Sequence, residues 1–201
     1  MATLEAVRRG QKVGRNYFCF AGAQIAVGLA LSQFHFGDFA WAKRLFAAID
    51  PHLPAFATMF QLAPDPTGSK ILLLIWWLVF LPVGLGYCWR VMPVGFKPHV
   101  DFLRRGRLKI LGYAVLGGGF TWVIVWVHAF RVYTFEIESG QYVQSRADII
   151  PWLLAHGPTA TAVWLAAVSI LAIICPCLFL ASTRALLFDY AEIKKLELTR
   201  K

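Results

Sequence analysis

The sequence predicts an all-α, polytopic membrane protein with four transmembrane helices, and three observations lead to that prediction. The 201 residues are 58% hydrophobic and only 15% charged, whereas soluble domains are about one quarter charged. Four stretches are long enough to cross a hydrocarbon core of about 30 Å as helices. These stretches contain no Asp, Glu, Lys or Arg, and they are residues 16–36, 71–89, 110–130 and 159–182. The third observation is the distribution of positive charge between them.

Fifteen of the 20 basic residues fall in segments 1–15, 90–109 and 183–201, and five fall in segments 37–70 and 131–158. By the positive-inside rule, the first group faces the cytoplasm. Both termini are therefore expected inside a bacterial inner membrane, and residues 1–201 are expected to form one membrane domain. The net charge of +9 fits anionic lipid headgroups, particularly at the 90–109 loop, and does not indicate nucleic acid.

The first stretch has an alternative interpretation. Four basic residues, Arg8, Arg9, Lys12 and Arg15, precede an apolar run that ends in Ala30-Leu31-Ser32. A basic start, an apolar run and small residues are also typical of a cleavable signal peptide. Cleavage would leave three spans in the same orientation.

Small residues predict where helices approach each other. Gly22, Ala26 and Ala30 share one face of the first helix, which favours close packing inside the bundle or, alternatively, a homodimer contact. In the third helix, Gly117-Gly118-Gly119 predicts close packing or local unwinding, since glycine lowers helix stability.

The segments outside the spans also carry patterns. In segment 37–70, Asp38 is placed to cap a short helix whose apolar face includes Ala42 and Phe46; this helix is expected to lie on the membrane surface or to contact a partner. Alternation around Ser139-Gly140 predicts a small hairpin in segment 131–158. The 183–201 tail is expected to be an amphipathic helix.

The fourth stretch contains the sharpest local motif, Cys175-Pro176-Cys177. Together with the apolar residues around it, this motif resembles the intramembrane Cys-Pro-Cys segment of heavy-metal-transporting P-type ATPases. In that family, two thiolates bind a soft metal ion, and the resemblance implies the same role for Cys175 and Cys177. The likeness covers about a dozen residues, and the sequence lacks the family's Asp-Lys-Thr-Gly motif, so the chain is not a member.

The four cysteines define a candidate metal site. Cys19 and Cys88 lie near the predicted cytoplasmic ends of their helices, as do Cys175 and Cys177. Thiolates select soft ions such as Cu(I), and they also bind Zn. The alternative interpretation is that the cysteines pack as small apolar residues, with Pro176 kinking the helix. Disulfides are not expected on the reducing side of the membrane.

Two histidines define a separate candidate site. His35 and His128 fall near the outer ends of the first and third predicted helices. Paired histidines on facing helices of a membrane bundle can ligate haem b. Interfacial histidines more commonly bond to water or headgroups.

These observations predict a non-catalytic integral subunit of a larger inner-membrane assembly, such as a secretion, conjugation or respiratory complex. Protein partners are expected on the outer loops and the 183–201 helix. A metal- or haem-binding subunit is the first alternative. The second is a small transporter or channel with a polar path past Gln24, Ser32, Thr121 and Ser169.

Overall fold

The computed structural model describes residues 2–34, 36–91, 100–133, 136–138, 141–143, 150 and 156–198. Helices make up nearly all of the described secondary structure. The α-helices are α1 Ala2–Leu31, α2 Ala40–Ile49, α3 Pro54–Thr58, α4 Pro66–Ile75, α5 Leu81–Val91, α6 Val100–Leu103, α7 Arg107–Val125, α8 Pro158–Phe188 and α9 Tyr190–Leu198. A 3₁₀ turn covers Phe36–Asp38, and π-helical turns cover Trp76–Phe80, which joins α4 to α5, and Trp126–Phe130, which extends α7.

Three helices in the described chain are long and apolar enough to cross a membrane: Pro66–Arg90, Arg107–Phe130 and Pro158–Phe188. They contain the predicted stretches 71–89, 110–130 and 159–182, and they extend beyond them. The first begins early because Asp65 caps it, since one carboxylate oxygen accepts a hydrogen bond from the Gly68 amide at 2.9 Å. Proline follows at the first helical position, where its missing N–H costs nothing.

The first predicted stretch, 16–36, ends earlier in the structure than the sequence predicts. Helix α1 stops at Leu31, and the chain then turns before the Phe36–Asp38 segment. Residues 17–31 cover about 22 Å as a helix, which is less than the hydrocarbon thickness of about 30 Å. Helix α1 is not among the three helices with the length and hydropathy of a span.

The described residues form two compact units, and the first comprises residues 1–76 and 129–169. Within it, residues 36–65 form a segment that we call the cap. The cap has an apolar core in which every side chain is at most 4% exposed: Ala42, Phe46, Ala55, Phe56, Met59 and Phe60. Lys70 of α4 supports this core, since its ammonium pairs with Asp50 and lies 5.4 Å from the centre of the Phe46 ring.

The prediction that Asp38 caps α2 is wrong. Asp38 belongs to the preceding 3₁₀ turn, and Phe39 occupies the N-cap position without any side-chain hydrogen bond. The apolar face predicted for this helix is present, because Ala42 and Phe46 are both buried.

In the same unit, α1 approaches its neighbours at Gly28 rather than at the predicted small-residue face. A Cβ atom at Gly28 would lie 2.3 Å from the Cβ of Ala162 and 3.1 Å from the Pro158 carbonyl oxygen. At Gly22 a Cβ atom would meet no atom within 4 Å, and Ala26 and Ala30 are exposed. Within the first unit, the Gly22 face therefore does not make the predicted close packing, and the homodimer contact stays a prediction.

A short hairpin completes this unit. Strand β1, Glu136–Glu138, pairs antiparallel with strand β2, Gln141–Val143. Glu138 is opposite Gln141, so two residues connect the strands, as the alternation around Ser139-Gly140 predicts.

The second unit comprises residues 77–128 and 170–201. Its core is a cluster of buried side chains from α6, α7, α8 and α9: Phe102, Leu103, Ile110, Ala181, Ala185 and Ile193. Helix α8 ends at Phe188 and α9 starts at Tyr190. Ile193 is fully buried, so the apolar face of the amphipathic tail packs against its own chain.

The glycine run packs α7 against α8 in this unit. A Cβ atom at Gly117 would lie 2.8 Å from the Cys175 carbonyl oxygen and 2.9 Å from the Phe179 nitrogen, while one at Gly119 would meet nothing within 4 Å. Helix α7 continues unbroken through all three glycines. Of the two predicted outcomes, close packing is observed and local unwinding is not.

The two glycines of α1 allow a matched test of this packing. We expect Gly28→Ala to destabilise the protein by about 1–3 kcal/mol, because the new methyl group overpacks the contact with Ala162. Gly22→Ala is expected to be neutral or stabilising by up to about 1 kcal/mol, since alanine is the better helix former. Thermal unfolding in detergent compares the two variants, and equal effects would show that α1 does not pack through Gly28.

Candidate functional site

The first unit contains a buried polar cluster formed by Gln24 of α1, Trp76 after α4, and Ser169 of α8. The Trp76 indole Nε1 donates to the Ser169 hydroxyl oxygen at 2.9 Å, and that oxygen lies 3.1 Å from Gln24 Oε1. All three residues are at most 1% exposed. Three helices thus meet through uncharged polar side chains in otherwise apolar surroundings.

The hydrogens in this cluster do not satisfy every polar atom. The Ser169 hydroxyl has one hydrogen, and its shortest contact is to the Leu165 carbonyl oxygen at 2.7 Å. If it donates there, Gln24 Oε1 receives no hydrogen from Ser169, and Gln24 Nε2 has no hydrogen-bond partner among the described residues. Turning the amide by 180° lets Nε2 donate to Ser169 and leaves Oε1 without a partner in the same part of the chain. An unpaired buried polar atom costs about 1–3 kcal/mol.

Three residues of the polar path predicted for a transporter, Gln24, Ser32 and Ser169, belong to the first unit, and Thr121 belongs to the second. Gln24 and Ser169 are brought together. The Ser32 hydroxyl instead donates to the Leu29 carbonyl at 2.7 Å, and the Thr121 hydroxyl donates to the Gly117 carbonyl at 2.6 Å. Both hydroxyls are therefore used by the backbone of their own chain segments.

The second unit brings two of the four cysteines together. The Cys177 thiol, on α8, donates to the Leu85 carbonyl of α5 at 3.8 Å. Leu85 lies one turn before Cys88 on the same helix, so Cys177 lies beside the face of α5 that carries Cys88. Cys88 is half-buried and Cys177 is buried.

The other two cysteines are placed differently. Helix α8 runs unbroken through Pro176, and residues two apart on a helix point about 200° apart, so Cys175 does not share the face of Cys177. Cys19 belongs to the first unit and is exposed. Among the described residues, no group of three or more His, Cys, Asp or Glu side chains is arranged to hold a metal ion.

Of the two histidines predicted to bind haem, the structure describes one. His128 lies in the π-helical turn Trp126–Phe130, is 2% exposed, and has its Nδ1 atom 2.9 Å from the Ile124 carbonyl oxygen. His35 lies outside the described residues. The haem prediction therefore keeps one defined ligand candidate, whose Nδ1 atom bonds to its own helix.

The sequence contains no signal that singles out Trp76. It begins the π-helical turn Trp76–Phe80, and such turns occur frequently at functional sites. In the sequence, Trp76 and Trp77 form an apolar doublet in which neither residue is distinguished. Only the fold separates them, because Trp76 is 1% exposed and Trp77 is half-buried.

Comparison of the chain with protein-family models, with curated protein sequences and with solved structures finds no match. The assignment of function therefore depends on the residues themselves.

The polar cluster gives a prediction that separates Ser169 from Gln24. Ser169→Ala removes the hydroxyl that links Trp76 and Gln24, and we expect a loss of about 1–2 kcal/mol. Gln24→Leu leaves Ser169 bonded to Leu165 and Trp76 and removes the unpaired atom, so we expect a smaller loss or a gain in stability. Thermal unfolding in one detergent ranks the variants, and a Gln24→Leu protein less stable than Ser169→Ala would refute this assignment of the hydrogens.

Proposed function

We propose that this protein is a non-catalytic, four-span subunit of a larger bacterial inner-membrane assembly, with both termini in the cytoplasm. We propose further that its cap, on the outer side, docks a partner subunit. The observation that carries this proposal is an exposed cluster of aromatic rings at the start of the cap, whose apolar core is buried. The three apolar helices of spanning length are compatible with such a role.

Contacts of α1 support the fourth span. Within the first unit, the Tyr17 hydroxyl donates to the Ala166 carbonyl of α8 at 2.9 Å. Gln24 reaches Ser169, and Gly28 meets Ala162. Residues 17 to 28 of α1 thus contact the 162–169 portion of α8, which supports α1 as a further helix within the membrane. A span shorter than the hydrocarbon core is accommodated by local thinning of the bilayer or by flanking side chains that reach the interface.

The charge distribution supports the orientation. Residues 1–15, 90–109 and 183–201 carry 15 of the 20 basic residues, and alternation across four spans places these three segments on one side. Basic residues near helix ends set orientation during membrane insertion. With three spans, the first and last of these segments would lie on opposite sides.

The polar cluster supports a structural role for the helices. Hydrogen bonds between helices contribute about 0.6 kcal/mol each in membranes, and the bonds of Ser169 link α8 to Gln24 and Trp76. These side chains carry no charge, whereas intramembrane ionisable residues are typical of ion and proton pathways. The cluster therefore fits helix association better than transport.

The aromatic cluster consists of Phe34, Phe36, Phe39 and Trp41. The Phe36 ring centre lies 5.9 Å from that of Phe34, 5.8 Å from that of Phe39 and 6.4 Å from that of Trp41. Phe34, Phe39 and Trp41 are 56%, 43% and 53% exposed. The Phe36 amide is 3.4 Å from the Asp65 carboxylate, which also caps α4, so the start of the span holds the cluster in place.

The arrangement favours a protein partner over lipid. Aromatic side chains, including Phe and Trp, are enriched at protein interfaces, and side chains that already contact each other lower the entropy cost of binding. A lipid anchor requires aromatic residues at the interface but no fixed contacts among them. Lys43 and Arg44 are exposed on the adjacent helix α2. We therefore expect a partner that offers an apolar surface with acidic groups beside it.

A photo-crosslinking experiment in intact cells tests this docking. We place a benzophenone amino acid at Trp41 and, as a matched control, at Gln61, which is also exposed on the cap. The Trp41 position is expected to give one protein adduct of fixed mass, and the Gln61 position is expected to give none. Lipid adducts alone at Trp41, or the same protein adduct at both positions, would contradict partner docking through the aromatic cluster.

Removal of two side chains of the aromatic cluster tests the same docking surface. We expect Phe39→Ala combined with Trp41→Ala to abolish co-purification of the cross-linked partner in mild detergent, because two exposed contact side chains are lost. The free energy of unfolding of the isolated chain is expected to change by no more than about 0.5 kcal/mol, as is usual for surface substitutions. Unchanged co-purification at the wild-type ratio would place the interface elsewhere.

A further inference from the structure

The pairing of Cys88 with Cys177 is not explained by the docking role and has its own chemistry. Both residues belong to the second unit, on helices α5 and α8. The geometry that places the thiols together is the contact of the Cys177 sulfur with the Leu85 carbonyl at 3.8 Å, one turn before Cys88 on α5. Leu85 precedes Cys88 by three residues, so it lies on the same face of α5.

We propose that Cys88 and Cys177 form a two-coordinate site for Cu(I). The two sulfur ligands come from different helices, and the Cys-Pro-Cys sequence itself does not form the pair. Cys175 is turned about 200° away from Cys177 on a continuous helix. It instead belongs to the side where its backbone carbonyl packs against Gly117 of α7.

The number and type of ligands select the ion. Thiolates are soft ligands that favour Cu(I), and two thiolates complete the linear coordination that this ion accepts. Structural zinc sites require four ligands. In the part of the chain that the structure describes, the two thiols are not joined by further side chains in a group of three or more potential ligands.

Binding of the ion is an exchange of protons for metal without a change in oxidation state. Copper enters as Cu(I), both S–H bonds break, two S–Cu bonds form, and two protons leave to solvent. The product carries one negative charge. Cys88 is only half-buried and lies two residues before the end of its span at Arg90, so the ion reaches the site from the end of the helix rather than through the membrane core.

A titration of the purified, full-length protein tests the site. Cu(I) is added anaerobically in competition with bicinchoninate, which reports free Cu(I) by its colour, to wild type and to four single Cys→Ser variants. Loss of an outer-shell group alone costs about 10–100-fold in metal affinity. We therefore expect Cys88→Ser and Cys177→Ser to weaken binding by more than about 100-fold, and Cys175→Ser and Cys19→Ser to keep one Cu(I) per chain at wild-type affinity.

Cys175→Ser is the matched control, because Cys175 is also buried and differs from Cys177 by only two positions. X-ray absorption of the loaded wild type is expected to show two sulfur neighbours. Full binding in Cys88→Ser, loss of binding in Cys175→Ser, or no binding in wild type would each overturn the proposal.

A second measurement uses the wild-type protein and does not depend on whether a variant folds. Dibromobimane becomes fluorescent when it joins two neighbouring thiols, so we expect it to link Cys88 to Cys177, as peptide mapping identifies. Prior loading with Cu(I) is expected to prevent this reaction. If the link forms equally with and without Cu(I), the thiols are neighbours but do not bind the metal, and the site is refuted while the docking role is unaffected.

Discussion

The constraint on which this structure depends is that a hydrocarbon environment leaves no polar group unpaired without a large cost. The backbone therefore runs in long helices, and the stretches 71–89, 110–130 and 159–182 within them hold no Asp, Glu, Lys or Arg. Polar side chains within them bond to carbonyls one turn away, as Thr121 does, or to another helix, as Trp76 does. Close approach then relies on glycine, at Gly28 and Gly117, because apolar lipid provides little drive for helices to associate.

Helix existence was predictable from the sequence, because length and absence of charge are properties of a single stretch. The spans Pro66–Arg90, Arg107–Phe130 and Pro158–Phe188 follow from them directly. The packing faces were not predictable in the same way. A helix that is apolar on every side has no polar face to mark what points outward, so the even spacing of Gly22, Ala26 and Ala30 was a weaker guide than the isolated Gly28.

For the candidate sites, too, some contacts were predictable from the sequence and others were not. Gln24 and Ser169 are polar residues in the middle of apolar helices, so a contact between them was predictable from the sequence. The sequence alone did not show which of Trp76 and Trp77 joins that contact. The Cys-Pro-Cys motif predicted a shared site for Cys175 and Cys177. The helical period alone places those residues on different sides of α8, provided that Pro176 does not break the helix. Proline inside a helix removes one hydrogen bond and often ends or kinks it; α8 nevertheless continues to Phe188, which the sequence alone did not determine.

The central claim is that the chain crosses the membrane four times and returns both ends to the cytoplasm. The most direct measurement fuses two reporters in turn to each terminus: a fluorescent protein that folds only in the cytoplasm, and alkaline phosphatase, which is active only outside. The account predicts fluorescence and inactive phosphatase at both ends, because residues 1–15 and 183–201 share the positive-inside signal. Active phosphatase at the N-terminus with a cytoplasmic C-terminus would instead mean that α1 does not cross, and would contradict the account.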